Sequence, residues 1–192
     1  MLERLKAECW RVSALMQFTK DSFYMAMQTR LAALNPLRTV TLSGATRPAV
    51  IVAENELVIP IEPLPDAFYI EWGAAQVAAR QTGSRELMEM DCVISYHTFG
   101  TVDSGVDRGR TLGELDTELL GITQPQHTAK QDYTQAPSVG LGTNILWTAP
   151  ALGKVAGSEA PPNEGLPRGT AGVRLERSAT LKVFFFPEVI FL

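Results

Sequence analysis

From Met1 to about Leu34, apolar residues recur at three- and four-residue steps: Leu2, Leu5, Cys9, Val12 and Met16, then Phe23, Met27, Leu31 and Leu34. That spacing marks one face of a helix. Pro36 stops it, and Asn35 before the proline is biased out of the helical region. Trp10, Phe18 and Tyr24 fall off the main stripe, so the helix is predicted to be covered on more than one side, by its own subunit or by a neighbour. Asp21 and Ser22 are placed to cap a second helix, which leaves a break near Thr19–Ser22 as an open alternative.

Downstream, the periodicity switches from helical to alternating. Arg38–Leu42 and Arg47–Ala53 are predicted as two short strands joined by the turn residues Ser43-Gly44-Ala45-Thr46. Leu57–Ile61 is β-prone, but Pro60, Pro63 and Pro65 confine it to an edge or a loop. In Asp66–Trp72, Phe68, Ile70 and Trp72 face one way, and Tyr69 and Glu71 the other. Leu87–Phe99 is the clearest central strand, with Met88, Met90, Cys92, Ile94 and Tyr96 opposite Glu89, Asp91, Val93, Ser95 and His97. Its expected partner lies near the end of the chain, where Val173, Leu175, Ala179, Leu181, Val183 and Phe185 alternate with Arg174, Glu176, Ser178, Thr180 and Lys182. Such strands fit an antiparallel sheet packed on one side and partly wet on the other.

Between those strands, Thr111 followed by Glu114 predicts a capping box at a helix start. Leu112, Leu115, Leu119 and Ile122 supply its stripe, and Gly121 with Pro125 its end. Glu114, Asp116 and Glu118 are expected to face outward or to support the N-terminal dipole. Thr98–Arg110, Gln124–Gly142 and Ala156–Gly172 show no periodicity and are expected as long irregular insertions, which are uncommon in one domain unless they are functional or held by a neighbour. The fold class is therefore α+β: a mainly antiparallel sheet packed against a long N-terminal helix and a shorter second one. At 192 residues, with 45% apolar and 20% charged residues, the chain is expected to form a single domain over 1–192.

A formal charge of −4 without a long basic or acidic run argues against broad binding along a nucleic-acid backbone. Glu3, Arg4, Lys6 and Glu8 interrupt any apolar leader, and no stretch approaches the ~20 apolar residues of a spanning helix. No membrane partner is expected. Cys9 and Cys92 sit in periodic apolar segments, where a free cysteine behaves as a small buried hydrophobe.

Candidate chemistry is thin. Gly140-Leu141-Gly142 lacks the third glycine and the strand-to-helix setting of a dinucleotide loop, and no phosphate loop is present. His97, Asp91, Asp103, Asp107 and His127 match no ligand spacing, and His97 lies about 20 Å from Asp91 at a ~3.3 Å rise per residue. His97 is expected at the surface or at a loop edge. A Cys92–His97 dyad would need side chains on opposite faces of one strand, and Asp103 with Asp107 is the likeliest carboxylate pair only by default. No cofactor and no enzymatic activity are expected. Arg108 and Arg110 flank a glycine just before the capping box, a pattern that can clamp a carboxylate or phosphate across an interface or simply pair with Asp107.

In order, the long N-terminal helix, Arg47-Pro48-Ala49-Val50-Ile51-Val52, Met90-Asp91-Cys92-Val93-Ile94-Ser95-Tyr96, the helix from Thr111 to Leu120 and the closing strand Arg177–Phe186 resemble a tail terminator protein of tailed bacteriophages. The resemblance spans most of the chain, with added length in Gln124–Gly172. It implies a structural subunit that forms a homo-hexameric ring, caps the tail tube, ends its polymerisation and joins a neck or head-completion protein, while DNA passes through the lumen without sequence-specific binding. It further implies a place in the tail or neck of a virion assembled in the host cytoplasm, and no catalytic residues. Under it the long loops become contacts between subunits, and Trp10, Phe18, Tyr24, Arg108, Arg110 and the loop around Trp147 become interface residues. Another head-tail connector or neck protein follows the same logic. From other classes, a small metal-dependent hydrolase would use Asp103 and Asp107, and a monomeric binding domain would dock through the aromatic side of the first helix.

Overall fold

The computed structural model describes residues 2–56, 63–79, 85–100, 105–159 and 173–187, with their side chains apart from those of 2–15, 55–56, 105, 158–159 and 173. In chain order the elements are α1 (Leu2–Leu34), β1 (Thr39–Leu42), β2 (Ala45–Pro48), β3 (Val50–Val52), α2 (Ala53–Glu56), β4 (Phe68–Ala79), β5 (Leu87–Thr98), α3 (Gly105–Ile122), β6 (His127–Asp132), β7 (Val139–Trp147), β8 (Ala151–Leu152), β9 (Ala156–Glu159) and β10 (Val173–Phe185). The α+β class expected from the sequence is the one observed.

The main sheet runs β3-β4-β5-β10-β7-β6, with β8 and β9 also paired to β10. Its spine is the predicted pairing of the two long alternating strands: β10 lies antiparallel to β5 from Leu175 opposite Thr98 to Phe185 opposite Met88. The inward set Met90, Cys92, Ile94 and Tyr96 meets Ala179, Leu181, Val183 and Phe185, all buried. Alternation fixes this register, because a slip by one residue would turn both apolar faces into water. One pair departs from the antiparallel rule: β3 lies parallel to β4, Val50–Val52 against Phe68–Ile70. The predicted Arg47–Ala53 strand is accordingly split at buried Ala49, where the chain leaves the β1–β2 hairpin and enters the main sheet.

The long helix α1 lays Phe23, Met27 and Leu31 on the sheet, and Phe23 sits edge-on between Trp72 of β4 and Trp147 of β7, at 5.4 and 5.1 Å between ring centroids. No break occurs at Thr19–Ser22. Ser22 donates to the Phe18 carbonyl one turn back at 2.6 Å and accepts from the Gln131 amide of β6 at 2.9 Å. A residue with the type of a cap serves instead as an anchor in the helix interior, since a strand needed its hydroxyl there.

Further corrections concern α3 and the insertions. Helix α3 starts at Gly105 rather than Thr111, whose hydroxyl donates to the Asp107 carbonyl inside the helix at 3.1 Å. Two glycines in Gly105–Arg110 weaken the local propensity that would have shown this turn. The stripe Leu112, Leu115, Leu119 and Ile122 is buried as expected. Asp116 and Glu118, expected outward, face protein: Asp116 meets Arg177 and Tyr96, and Glu118 pairs with Arg38 at 2.8 Å and accepts from Asn35 at 2.6 Å. Gln124–Gly142 is largely the β6–β7 hairpin, not an irregular insertion. Its alternation is hidden in the sequence because Lys130 occupies a fully buried position, where its ammonium donates to the Phe186 carbonyl at 2.7 Å and lies 5.5 Å from the centre of the Phe185 ring. Thr98 closes β5, and residues 156–159 form β9, while 57–62, 101–104 and 160–172 lie outside the described residues.

Phe23→Ala is expected to remove the wedge between the two tryptophans and to cost about 3–5 kcal/mol, lowering Tm by on the order of 10 °C. Ser22→Ala, which leaves the Gln131 amide unpartnered, is expected to cost about 1–3 kcal/mol. Thermal melts of both against exposed Gln17→Ala check the order.

Candidate assembly surface

A cleft of about 320 Å³ opens where β5 ends and β10 begins, lined by Tyr69, Tyr96, His97, Lys154, Arg174 and Arg177 among others. Two of its arginines are paired within the subunit. Arg177 bonds one Asp116 oxygen and the Tyr96 hydroxyl donates to the other at 2.5 Å, while Arg174 meets Glu176 at 2.6 Å. Burial first, and then the hydrogen bond to the Asp116 carboxylate, push the Tyr96 phenol well above its ordinary value of 10.0. A proton locked in this way holds α3 to the sheet and is a poor acid or base near neutrality.

Among the described residues, the candidate nucleophile Cys92 and the candidate base His97 are not brought together. Cys92 is a free thiol that points into the core, and burial raises its pKa far from the thiolate range. His97 is buried, contrary to the surface position expected for it. Its ring packs edge-on against Phe99 with centroids 5.6 Å apart, and its carbonyl accepts from the Asp66 amide at 2.8 Å. The start of β4 folds over the end of β5 and shuts it from water. Asp91, six residues away on the same strand face as His97, is exposed and lies 4.0 Å from Lys182. Asp107 lies in the first turn of α3 and Asp103 outside the described residues. Among the described residues no group of three or more His, Cys, Asp or Glu side chains is arranged to hold a metal ion.

The interface residues proposed from sequence scatter. The Trp10 side chain lies outside the described set. Phe18 and Tyr24 are half-buried along α1, and the Tyr24 hydroxyl accepts from Gln28. Arg108 packs so closely on Gly100 that a β-carbon there would come within 2.4 Å of it, whereas Arg110, two residues on in the same turn, is exposed. Trp147 is 3% exposed and lies in β7 rather than in a loop. Its indole donates to the Thr123 carbonyl at 2.9 Å, and the Arg30 guanidinium stacks 5.1 Å from its ring centre, so its side chain is occupied within the subunit.

Sequence patterns did not reveal the state of the sheet edges. On β6 the helix reaches the outer edge at two residues: Ser22 takes the Gln131 amide, and Arg30 donates to the His127 carbonyl while also holding the carbonyls of Ile122 and Pro125 before the strand, at 2.8–3.0 Å. On β4 the outer neighbour β3 ends opposite Ile70, and among the described residues no strand pairs with the remainder of that edge. β10 meets β7 only through Leu146 and Trp147. Exposed apolar side chains are spread along β7 and the segment after it, at Val139, Leu146, Leu152 and Val155, and at Leu34 and Leu37 at and just past the end of α1. A pattern of burial carries no record of which backbone groups are paired, which is why these edges were not legible.

No family model matches the chain, and no curated protein matches it. Among solved structures, it is similar at 16% identity and a TM-score of 0.35 to a chain of a structure described as "Virion of native gene transfer agent (GTA) particle", over 90% of this chain and 96% of that one.

Because the Tyr96 pKa is raised on folding, its contribution to stability is complete below pH 10 and is lost as pH climbs through the higher folded value. The stability gap between the native protein and Tyr96→Phe is therefore expected to narrow above about pH 10, read from paired denaturation curves across the alkaline range. A gap independent of pH would show that the phenol proton is not held as described.

Proposed function

We propose that this chain is a structural virion protein, a tail terminator that assembles as a sixfold ring, caps the tail tube, ends its polymerisation and joins the tail to the neck or head. The observation that supports this reading best is the uneven treatment of the sheet edges. The β6 edge is met by the subunit's own helix at Gln131 and His127, while β4 and β7 each keep an uncharged stretch with no strand on one side among the described residues. Monomeric proteins generally blunt such edges, because an open row of amides and carbonyls recruits other chains. A subunit that is completed by its neighbours has no such need.

In this reading the whole of 1–192 acts as one α+β domain, and its partners are further copies of itself, the tail tube protein and a neck or head-completion protein. The second face of the sheet, free of α1 and α3, carries Glu71, Glu89 and Asp91 against Lys182. A mixed to acidic surface of that kind lets DNA slide past, whereas a basic one would retain its phosphates. Trp10, Phe18, Tyr24, Arg108 and Arg110 are assigned to contacts between subunits or rings, and Trp147 to positioning the β7 arm. No catalytic step and no cofactor are assigned. The protein works in the tail or neck of the virion, after assembly in the host cytoplasm.

Light scattering across a concentration series, with and without the tail tube protein, tests the reading. A closed ring of about six 21.0 kDa chains, alone or only on the tube, is the expected result, since binding sites on a symmetric ring become complete only at closure. A persistent monomer that ignores the tube would overturn it.

A further inference from the structure

We propose that the cleft between the end of β5 and the start of β10 binds a carboxylate, held by Arg174 and Lys154. The inference goes beyond the terminator reading and does not depend on it. The cleft lacks a reactive pair, yet it keeps cationic donors that the subunit does not use up.

The register of the sheet shows which side chains face the cleft. Ser178 lies opposite Ser95, Glu176 opposite His97, and Tyr69 opposite Ser95 on the other side. Alternation puts these residues and Arg174 on the face of the sheet away from α3. Tyr96 and Arg177 point the other way, to Asp116 of α3, and only border the cleft. The charged side chains on the cleft face are therefore Arg174, Lys154 and Glu176. Two cations against one carboxylate leave one positive charge in excess, on a chain whose formal charge is −4. Such a local site draws a small anion without holding a nucleic-acid backbone. One excess charge matches a monoanionic carboxylate. A phosphate group carries up to two negative charges near neutrality and would meet stronger repulsion from Glu176.

Hydrogen bonding points to the same ligand. Arg174 Nη2 donates to Glu176 at 2.6 Å, while its buried Nε has no hydrogen-bond partner. A guanidinium carries five N–H donors and no acceptor, and a buried donor left without a partner costs free energy that an arriving acceptor restores. Tethered at one corner, the group can tilt to offer a fork of two parallel donors, which fits the two oxygens of a carboxylate. Lys154 is exposed and has no hydrogen bond or ion pair among the described residues. The Tyr69 hydroxyl is already engaged, as acceptor from the Leu64 amide at 2.5 Å.

The backbone holds these groups in place before a ligand arrives. Arg174 pairs with Ser158 of β9, and Glu176 with Ala156. Just before Lys154, the Gly153 amide donates to the Ser178 carbonyl at 2.8 Å, and a β-carbon at Gly153 would stand only 2.8 Å from that oxygen. Glycine is needed for this close approach, which brings Lys154 to the rim of the cleft. At about 320 Å³ the space is near the lower end of ligand sites, ~300–1,000 Å³, and suits a carboxylate on a short stem.

Saturation-transfer difference NMR on the ligand tests this with the full chain, whether monomer or ring. The probes are acetate and a blocked Gly-Glu-Gly peptide, titrated at constant ionic strength, with inorganic phosphate as competitor and the Gly-Gln-Gly peptide as control. Saturable binding of acetate is expected. Arg174→Lys, which keeps the charge and the Glu176 pair but loses the fork, is expected to weaken it by roughly tenfold, the loss of one hydrogen bond to a charged group. Lys154→Gln is expected to weaken it several-fold, and Lys182→Gln, on the same face outside the cleft, to leave it unchanged. Tighter binding of the glutamate peptide than of acetate would assign the carboxylate to a protein side chain, and equal binding to a free acid. The inference is overturned if acetate does not bind saturably, if phosphate binds more tightly than acetate, or if the Arg174 and Lys154 variants bind as the unaltered protein does.

Discussion

The packing of Phe23 between Trp72 and Trp147 is the contact on which the rest of the subunit depends. The two tryptophans belong to strands separated by β5 and β10, so one ring on α1 ties opposite sides of the sheet to the same point. Edge-on aromatic pairs add about 0.5–1.5 kcal/mol each beyond the apolar area they bury. More important is the constraint. With both tryptophans held against one helix position, the sheet must curl around α1, and Met27 and Leu31 then follow Phe23 into the core.

On that base the β5–β10 pair sets the register, and two ion pairs position α3. Asp116 reaches down to Arg177 and Tyr96 on the sheet, while Glu118 reaches across to Arg38 just past the end of α1. Half-buried pairs of this kind add little net stability over apolar contacts, but removing one partner strands a charge, so they select one placement of the helix over its alternatives. The leucine stripe of α3 supplies the adhesion, and the carboxylates supply the direction.

The same economy explains why the cleft beside β10 is poor in chemistry while the sheet margins are rich in it. Arg174 and Arg177 in the cleft pair within the same subunit, whereas along Gly73–Ala79 and Val139–Asn144 one edge of the strand has no strand partner among the described residues. Backbone hydrogen bonds are obligatory wherever water is excluded. An assembly that covers these margins therefore has to supply strand-like partners, which ties the proposed ring to the shape of the sheet rather than to any reactive side chain.

The sequence by itself determined the elements that rest on local periodicity. The three- and four-residue spacing of α1, the alternation of β5 and β10 and the leucine stripe of α3 each specify which side chains are apolar neighbours, and burial follows that order. Only the tertiary structure decided the rest. Buried Lys130 hid a strand, a cap-like Ser22 became an anchor for β6, and glycines concealed the first turn of α3. The candidate surface was the least legible part, since half-buried Phe18 and core Trp147 look alike in a list of aromatic residues. Periodicity records which face a side chain takes. The pairing of backbone edges and the choice of partner for a buried polar group depend on which distant segment arrives beside them, and that is set only when the sheet closes around α1.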